Sequence, residues 1–218
     1  MTIKTAFDKI GSAVGLVVLS PVFAAVSAVN VVHFRASPFY REERAGKDGK
    51  PFQILKFRSM HEAQDENGNT LPDTERTTRW GKFLRGTGLD EFPQLLNILK
   101  GDMSLVGPRP RGIHEDTPPE ILTVKPGLTG LWQIKAIGKK EKGPTETRNT
   151  LDARYVFSRS SLLADMAILV LTVPAFYRGH DGECPGAEDS SDSSLTASQE
   201  GQDSPRWNME SYLYGDEP

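Results

Sequence analysis

A long stretch without charged side chains, residues 10–34, limits what the N-terminal part of this chain can form. Its 25 residues contain no Asp, Glu, Lys or Arg, and Lys9 and Arg35 stand directly on either side. A straight helix of this length would extend roughly 37 Å, more than the roughly 30 Å hydrocarbon core of a bilayer. The run is also long for a cleaved signal peptide. The pattern therefore places the N-terminal segment in or against a membrane.

Two residues, Ser20 and Pro21, interrupt this run at its middle. A proline inside a helix removes one backbone hydrogen bond and clashes with the carbonyl one turn earlier, so we expect a kink there. The Ser20 hydroxyl can bond to the freed backbone groups, which hydrocarbon would leave unsatisfied. Basic residues flank the run on both sides, which favours both ends on the cytoplasmic face. The residues alone leave open a kinked transmembrane helix and a re-entrant helix over 1–35.

Charge is unevenly distributed along the chain, although its sum is only −3. Residues 180–218 carry ten acidic side chains and one basic side chain, a net charge of −9, and the remainder has a net charge of +6. A basic body suits an anionic membrane surface or phosphorylated substrates, and a scattered surplus without a partner is the alternative. The acidic segment has too little apolar surface to offset the entropy of ordering, so we predict a disordered tail. Its Cys184 is the only cysteine, which excludes an intramolecular disulfide.

Between these two segments, residues 36–179 have the pattern of a small, mostly helical α+β catalytic domain. Residues 52–57 alternate as a β-strand, and the turn residues before them indicate a short hairpin. The polar stretch 61–78 is typical of a loop. Apolar residues at helical spacing after Asp90 predict a helix, with Pro93 in its first turn.

Two further helices are expected near the end of this domain. One covers residues 150–160. The apolar segment 162–177 is too short to cross a bilayer, so we expect an amphipathic helix at the membrane interface or a buried core helix.

The adjacent carboxylates Asp90 and Glu91 are the first candidates for chemistry, because they begin this predicted helix. Neighbouring side chains on a helix point about 100° apart, so separate roles are more natural than a shared proton. The helix dipole favours the ionised form of both acids. An ionised Asp90 is a competent nucleophile toward phosphorus, and Glu91 can hold Mg²⁺. First-turn acids that only complement a helix dipole would give the same local pattern.

Basic side chains accompany these acids along the sequence. Arg109 and Arg111 lie in the stiff sequence GPRPR, and guanidinium groups suit bidentate contacts with phosphate. Lys56 and Arg58 stand at the end of the predicted strand, and Arg85 comes five residues before the first acid. Each could be an ordinary surface charge. Together with the acids and the apolar run, they indicate a phosphoryl-transfer site at a membrane interface.

Other common site motifs are not found. The glycine-containing run 125–133 lacks the spacing of a Walker or dinucleotide loop, and we interpret its glycines as turn residues rather than as a ligand contact. The four histidines are dispersed, without the spacing of a zinc site.

Four blocks of this sequence resemble the bacterial sugar transferases, the monotopic phosphoglycosyl transferase family that starts lipid-linked glycan assembly. The blocks are PFQILKFRSM (51–60), LRGTGLDEFPQLLNILKGDMSLVGPRP (84–110), KPGLTGLWQI (125–134) and LDARYVFSRSSLLADMAIL (151–169). The resemblance covers residues 1–178. Residues 138–149 differ from the shorter sequence typical of the family, so contacts made there are not carried over.

The resemblance implies an enzyme that moves a sugar 1-phosphate from a UDP-sugar to polyprenol phosphate, such as undecaprenyl phosphate, releases UMP and needs Mg²⁺. It implies that Asp90 is the nucleophile, through a covalent aspartyl-phosphosugar, and that Glu91 is its metal-associated partner. Arg85 and Arg109 match positions tied to phosphate binding or active-site architecture. Asp165 falls near a functional acid of the family.

The resemblance also implies a location and partners. Ser20 and Pro21 match the break that makes the family's membrane helix re-entrant, so we expect insertion into one leaflet of the bacterial inner membrane with the catalytic domain on its cytoplasmic face. The expected partners are the UDP-sugar, the polyprenol phosphate and membrane lipid, and we expect no nucleic-acid partner.

Two other functional classes remain as alternatives. A membrane-anchored scaffold or anionic-lipid binding module would explain the apolar run and the basic body, but not why Asp90 and Glu91 lie between Arg85 and Arg109. A phosphatase or another aspartyl-phosphate enzyme would release free phosphate instead of a lipid product.

Overall fold

In the computed structural model, which describes residues 2–65, 68–136, 145–158 and 161–178, the apolar run forms two helices. Helix α1 spans Ile3–Val18 and helix α2 spans Ser20–Phe34, with a 64° bend between them. Within the described ranges, no single helix is long and apolar enough to cross a membrane, whereas this bent pair meets both conditions when taken together. The predicted kink is confirmed.

Ser20 and Pro21 produce this bend in the expected way. Pro21 has no N–H to donate to the Val17 carbonyl one turn earlier. The Ser20 hydroxyl donates to that carbonyl instead, at 2.8 Å, while the Leu19 N–H keeps its helical bond to Gly15 at 2.9 Å. The carbonyl that proline deprives of a donor is thus satisfied within the chain, as an apolar environment requires.

Short strands form two small sheets in the described part of the chain. The strands are β1 (Phe39–Ala45), β2 (Pro51–Phe57), β3 (Ser104–Val106), β4 (Arg111–Gly112) and β5 (Gly127–Thr129). Strands β1 and β2 form the predicted antiparallel hairpin, from Phe39 opposite Phe57 to Ala45 opposite Pro51. Strand β4 pairs with the other edge of β1, which leaves β2 as an outer strand.

The second sheet explains the glycines of residues 125–133 differently from our interpretation. Strands β3 and β5 are parallel, with Ser104 opposite Gly127. A Cβ atom on Gly127 would lie 2.1 Å from the Gly107 nitrogen, and one on Gly130 would lie 2.2 Å from the Gly107 carbonyl oxygen. These glycines therefore serve close backbone packing rather than a tight turn.

Six more α-helices connect and cover the sheets in the described ranges. They are α3 (Asp73–Arg76), α4 (Arg79–Thr87), α5 (Gln94–Lys100), α6 (Leu131–Ala136), α7 (Thr145–Phe157) and α8 (Leu162–Arg178). The prediction of a helix over 162–177 is confirmed. The helix expected over 150–160 begins earlier, and the loop expected over 61–78 contains α3.

Both arms of the bent pair pack along the rest of the domain. On α1, Asp8 and Ser12 are buried, and the Asp8 carboxylate accepts hydrogen bonds from the Leu105 N–H at 3.1 Å and from the Ser104 hydroxyl at 2.9 Å. On α2, Val26 is buried in a cluster with Phe57 and Leu84. One face of each arm thus packs against the domain.

Asn30 fastens the second arm with three hydrogen bonds. Its side-chain amide donates to the carbonyls of Pro38 and Arg58, both at 3.0 Å, and its oxygen accepts from the Trp80 indole at 2.7 Å. The side chain is fully buried, so each of these bonds is made out of contact with water. Helix α2, the hairpin and α4 therefore form one packed unit.

The fold class is confirmed in its general form: a small, mostly helical mixed α/β domain with short strands. The tail predicted over 180–218 and residues 138–144 of the divergent segment lie outside the described residues.

Candidate active site

Asp90 and Glu91 lie in a tight 3-10 turn, Leu89–Glu91, that joins α4 to α5. Gly88 ends α4 in the left-handed conformation, with φ of 67°, and its carbonyl accepts from the Glu91 N–H at 3.2 Å. We expected the acids in the first turn of the following helix. They come just before it, because α5 begins only at Gln94, after Pro93.

Asn97 on α5 fixes this turn against the hairpin. Its amide donates to the Gln53 carbonyl at 2.7 Å, and its oxygen accepts from the Leu55 N–H at 3.0 Å. The side chain thus pairs with the outer strand β2 as a neighbouring strand would. As a result, Lys56 on the same strand reaches the acids, and its ammonium group lies 3.3 Å from the Glu91 carboxylate.

Asp90 is a buried carboxyl group whose pKa is well above the ordinary value for aspartate. Burial, followed by the negative charge of Glu91, raises the pKa of Asp90 to about 7 against the opposing effect of Lys56 and Arg85. The sequence suggested that the helix dipole would favour the ionised form. The structure reverses this expectation, because the loss of hydration outweighs the neighbouring cations.

Arg85 is held beside the acids by α4. Its Nε donates to the Ser59 hydroxyl at 3.0 Å, and its Nη1 lies 4.0 Å from the Asp73 carboxylate. Helix α4 comes this close because of Gly81, where a Cβ atom would lie 1.8 Å from the Ser59 carbonyl oxygen. The structure therefore brings together four of the predicted residues, Lys56, Arg85, Asp90 and Glu91.

Arg58 lies on the same hairpin but points elsewhere. Its guanidinium group donates to the Glu62 carboxylate at 2.6 Å and to the Ser37 carbonyl at 3.0 Å. These bonds hold the start of the polar loop against the end of α2.

Arg109 and Arg111 belong to a second charged group, with α7. Arg111 is 1% exposed, and its guanidinium group lies 2.5 Å from the Asp152 carboxylate and 2.9 Å from that of Glu115. Glu115 also pairs with Arg148. Asp152 accepts the Arg109 backbone N–H, and burial raises the pKa of Asp152 in spite of Arg111. Arg111 is thus engaged inside the protein, whereas Arg109 is only partly buried.

Asp165 is fully buried at the start of α8, in a network that joins three helices. It pairs with Lys4 of α1 and accepts the Tyr155 hydroxyl of α7 at 2.8 Å. The Lys4 ammonium group also donates to the Val106 carbonyl at 3.2 Å. These contacts connect the N-terminal helix with the C-terminal helices and do not involve the residues around Asp90.

The donor set around Asp90 fits Mg²⁺ when a substrate supplies the other ligands. Within the described ranges, no group of three or more His, Cys, Asp or Glu side chains is placed to hold a metal ion by itself. Mg²⁺ is usually bound by one or two carboxylates together with substrate phosphates and water. Glu91 is the more exposed of the two acids, so it is the better placed to share a metal ion with a substrate.

Sequence reasoning missed the residues that position this site. Asn30, Ser59 and Asn97 make the hydrogen bonds that hold α2, α4 and α5 on the hairpin. The position of Asn30 could have indicated its role, because a polar amide inside an apolar run has to find hydrogen-bond partners if it is buried. Nothing in the sequence around Ser59 and Asn97 indicated theirs.

Comparison with known proteins agrees with these motifs. The family model described as bacterial sugar transferase matches residues 1–179. The sugar transferase EpsL of Bacillus subtilis is 38% identical over 178 residues, which cover 79% of this chain and 86% of EpsL. The exopolysaccharide production protein ExoY of Rhizobium meliloti is 37% identical, with 79% of this chain and 84% of ExoY covered.

A third relative has a more specific name. The UDP-glucose:undecaprenyl-phosphate glucose-1-phosphate transferase of Caulobacter vibrioides is 36% identical, over 79% of this chain and 68% of its own length. The predictions of a transferase and of its family are therefore confirmed. The chain belongs to the bacterial sugar transferase family.

Proposed function

We propose that this enzyme transfers a sugar 1-phosphate from a UDP-sugar to undecaprenyl phosphate, the first membrane step in building a polysaccharide or another glycoconjugate. The observation that carries the proposal is the placement of a buried aspartate, Asp90, beside Glu91 and between the cations Lys56 and Arg85. The names of relatives support the choice of substrates, since one acts on UDP-glucose and undecaprenyl phosphate and another is a UDP-galactose-lipid carrier transferase of Erwinia amylovora.

In the first half-reaction, an oxygen of ionised Asp90 attacks the phosphorus that carries the sugar. The bond from this phosphorus to the UMP oxygen breaks, and UMP leaves with the electron pair. The product is an aspartyl-phosphosugar on the enzyme. In the second half-reaction, a phosphate oxygen of undecaprenyl phosphate attacks the same phosphorus, and the Asp90 carboxylate is released.

The cations stabilise charge during both steps. Arg85 and Lys56 face the developing charge beside Asp90, where burial strengthens electrostatic interactions. Glu91 would hold Mg²⁺, which supplies further neutralisation of the diphosphate when bound. Arg109 is the candidate for a second phosphate contact. We assign Arg111 the role of holding this segment in place, because its guanidinium group is buried against Asp152.

The bent helix pair anchors the enzyme in one leaflet of the membrane. Its arms are roughly 24 and 22 Å long, from 16 and 15 residues. If both arms are inclined equally to the membrane plane, a bend of 64° places the tip roughly 12 Å deep. This is less than half of the roughly 30 Å hydrocarbon core.

Packing favours this geometry over a spanning helix. The inner faces of both arms contact the domain from Lys4 on α1 to Asn30 on α2, so neither arm is free to leave it. The outer faces present apolar side chains that are each more than half exposed: Ile3, Ile10, Val14, Val17, Val18 and Val32. We therefore propose a re-entrant helix in the inner membrane, with the catalytic domain on the cytoplasmic face.

A UMP-release assay tests this function. Purified enzyme is given Mg²⁺, undecaprenyl phosphate and a panel of UDP-sugars that includes N-acetylated hexosamines, their deoxy derivatives, glucose and galactose. We expect UMP and a lipid-linked sugar diphosphate with at least one donor, and neither product from Asp90→Asn. Free inorganic phosphate would instead indicate a phosphatase, and the absence of any turnover across the panel would favour a non-catalytic lipid-binding module.

A further inference from the structure

A second pair of charged residues, Asp73 and Arg76 on α3, lies next to the site and has no part in the mechanism above. The Asp73 carboxylate contacts two guanidinium groups. One oxygen lies 2.5 Å from Nη2 of Arg76, and the other lies 4.0 Å from Nη1 of Arg85. Asp73 therefore holds Arg76 beside the arginine that acts on Asp90.

Arg76 also lies close to the end of the hairpin, because its carbonyl accepts the His61 N–H at 3.0 Å. Tyr40 stands directly opposite Lys56 in the β1–β2 register, and cross-strand partners project from the same face of a sheet. Burial and the charge of Glu42 raise the pKa of Tyr40, and Arg76 and Asp73 are among the charges that act on it. Tyr40 thus stands opposite the Lys56 that pairs with Glu91.

Arg76 has bonding capacity that Asp73 does not use. In the described ranges its Nε is buried and meets no hydrogen-bond partner, while its Nη2 bonds to Asp73. A guanidinium group presents several donors in a planar fork that suits phosphate oxygens. Rotation of the group toward a phosphate would therefore satisfy the unused donor.

We propose that Arg76 binds the diphosphate of the nucleotide-sugar donor together with Arg85, and that Asp73 is a positioning residue that keeps the two guanidinium groups side by side. This inference rests on the proposed function, because it assigns new residues to the donor side of the same site. The acceptor has only one phosphate and reacts after UMP has left, so loss of Arg76 affects donor binding above all.

The test separates the two half-reactions. In ping-pong kinetics, kcat/KM for the donor reports the first half-reaction and kcat/KM for undecaprenyl phosphate reports the second. For Arg76→Gln we expect a loss of about tenfold or more in kcat/KM for the UDP-sugar and in UDP affinity by calorimetry, with little change in kcat/KM for the acceptor. Arg79→Gln, which removes an exposed arginine nearby, is the matched control and should behave as the wild type.

Conservative variants address the role of Asp73. Asp73→Asn should also reduce UDP affinity, as Arg76→Gln does. Asp73→Glu keeps the negative charge and should retain part of the wild-type UDP affinity. If Arg76→Gln fails to fold, Arg76→Lys keeps the charge without the fork and should still weaken UDP binding.

Wild-type UDP affinity in a folded Arg76 variant, or an equal loss for both substrates, would overturn the inference. Failure of the wild type to release UMP from any donor would instead count against the proposed function. UDP binding is measured without turnover, so the two failures are distinguishable.

Discussion

At the scale of single residues, Asp90 combines two requirements that oppose each other. A nucleophile near phosphorus benefits from burial, because the attacking oxygen is then less hydrated and nearby cations act more strongly. The same burial raises the pKa of Asp90 to about 7, so the free enzyme is only partly ionised at neutral pH. Mg²⁺ held by Glu91 would shift Asp90 toward its ionised, reactive form.

The pH dependence of the first half-reaction should report this ionisation. We expect kcat/KM for the UDP-sugar to rise with pH up to about 7 and then to level off, because only ionised Asp90 attacks. Glu91→Gln should move the inflection of its residual activity to lower pH, since a like charge is removed. Lys56→Gln should move it to higher pH, since a compensating cation is lost. A profile of UMP release that is flat from pH 5 to 8 would contradict this.

Asp90 should also reduce the stability of the folded protein at high pH. Its pKa in the folded protein lies above the ordinary value of 3.8, so stability is lost as pH rises from about 4 to about 7 and the full cost is present above that. Asp90→Asn does not carry this cost. The unfolding free energy of Asp90→Asn, compared with that of the wild type at the same pH, should therefore rise by on the order of 2 kcal/mol between pH 5 and pH 8. Thermal unfolding at the two pH values measures it, and an equal gain at both would be inconsistent with a buried, ionising Asp90.

Much of the site was predictable at this scale, but its electrostatics were not. Asp90, Glu91, Lys56 and Arg85 could be chosen from sequence because carboxylates and cations stood close together within distinctive blocks. Whether Asp90 is charged depends on how much water reaches it, which is decided by α4, α5 and the hairpin together. Arg111 looked equivalent to Arg109 in sequence, and only the fold shows that its partner is Asp152.

At the scale of elements, the bent helix pair is held at both ends and at its middle. Lys4 and Asp8 attach α1 to β3 and α8, and Asn30 attaches α2 to the hairpin and α4. Ser20 and Pro21 set the bend between them. The kink was readable from the sequence, because proline chemistry is local. The domain contacts were not, because the bonds from Asn30 to Trp80 and from Lys4 to Asp165 join residues that are 50 and 161 positions apart in the chain.

Single-leaflet insertion predicts the accessibility of both ends of this pair. Single cysteines at Thr2 and at Ala36, placed in a Cys184→Ser background, should both react with a membrane-impermeant maleimide from the cytoplasmic side, because the two arms lie on the same domain. Inverted membrane vesicles and intact spheroplasts provide the two sides. Labelling of position 2 from the periplasmic side would identify a spanning helix and refute the re-entrant arrangement.

The buried pair of Arg111 and Asp152 ties α7 to the segment after β3. Asp152→Ala should reduce the unfolding free energy by about 3–5 kcal/mol, because a buried guanidinium group is left without its main partner. The double variant Asp152→Leu, Arg111→Met removes both charges and should be less destabilised than the single variant. Urea unfolding in detergent measures the three proteins. A single variant that is as stable as the wild type would show that the pair has no such role.

At the scale of the whole molecule, three parts of the chain meet at one site. The hairpin supplies Lys56, helix α4 supplies Arg85, and the turn before α5 supplies the two acids. The proposed insertion of the bent pair into one leaflet would bring this site, which takes a soluble nucleotide-sugar, near the depth of lipid phosphates. The general fold class could be inferred from apolar periodicity and turn residues. The pairing of β4 with β1, and of β3 with β5, could not, because β3, β4 and β5 have only two or three residues each.

The proposed chemistry joins all of these parts in one covalent species. Enzyme mixed with its UDP-sugar and Mg²⁺ in the absence of undecaprenyl phosphate, then quenched and digested, should carry the mass of a sugar phosphate on the peptide that contains Asp90. The same peptide from Asp90→Asn should remain unmodified. If UMP is released at the wild-type rate while mass spectrometry finds no adduct on Asp90, the carboxylate at this position is not the nucleophile.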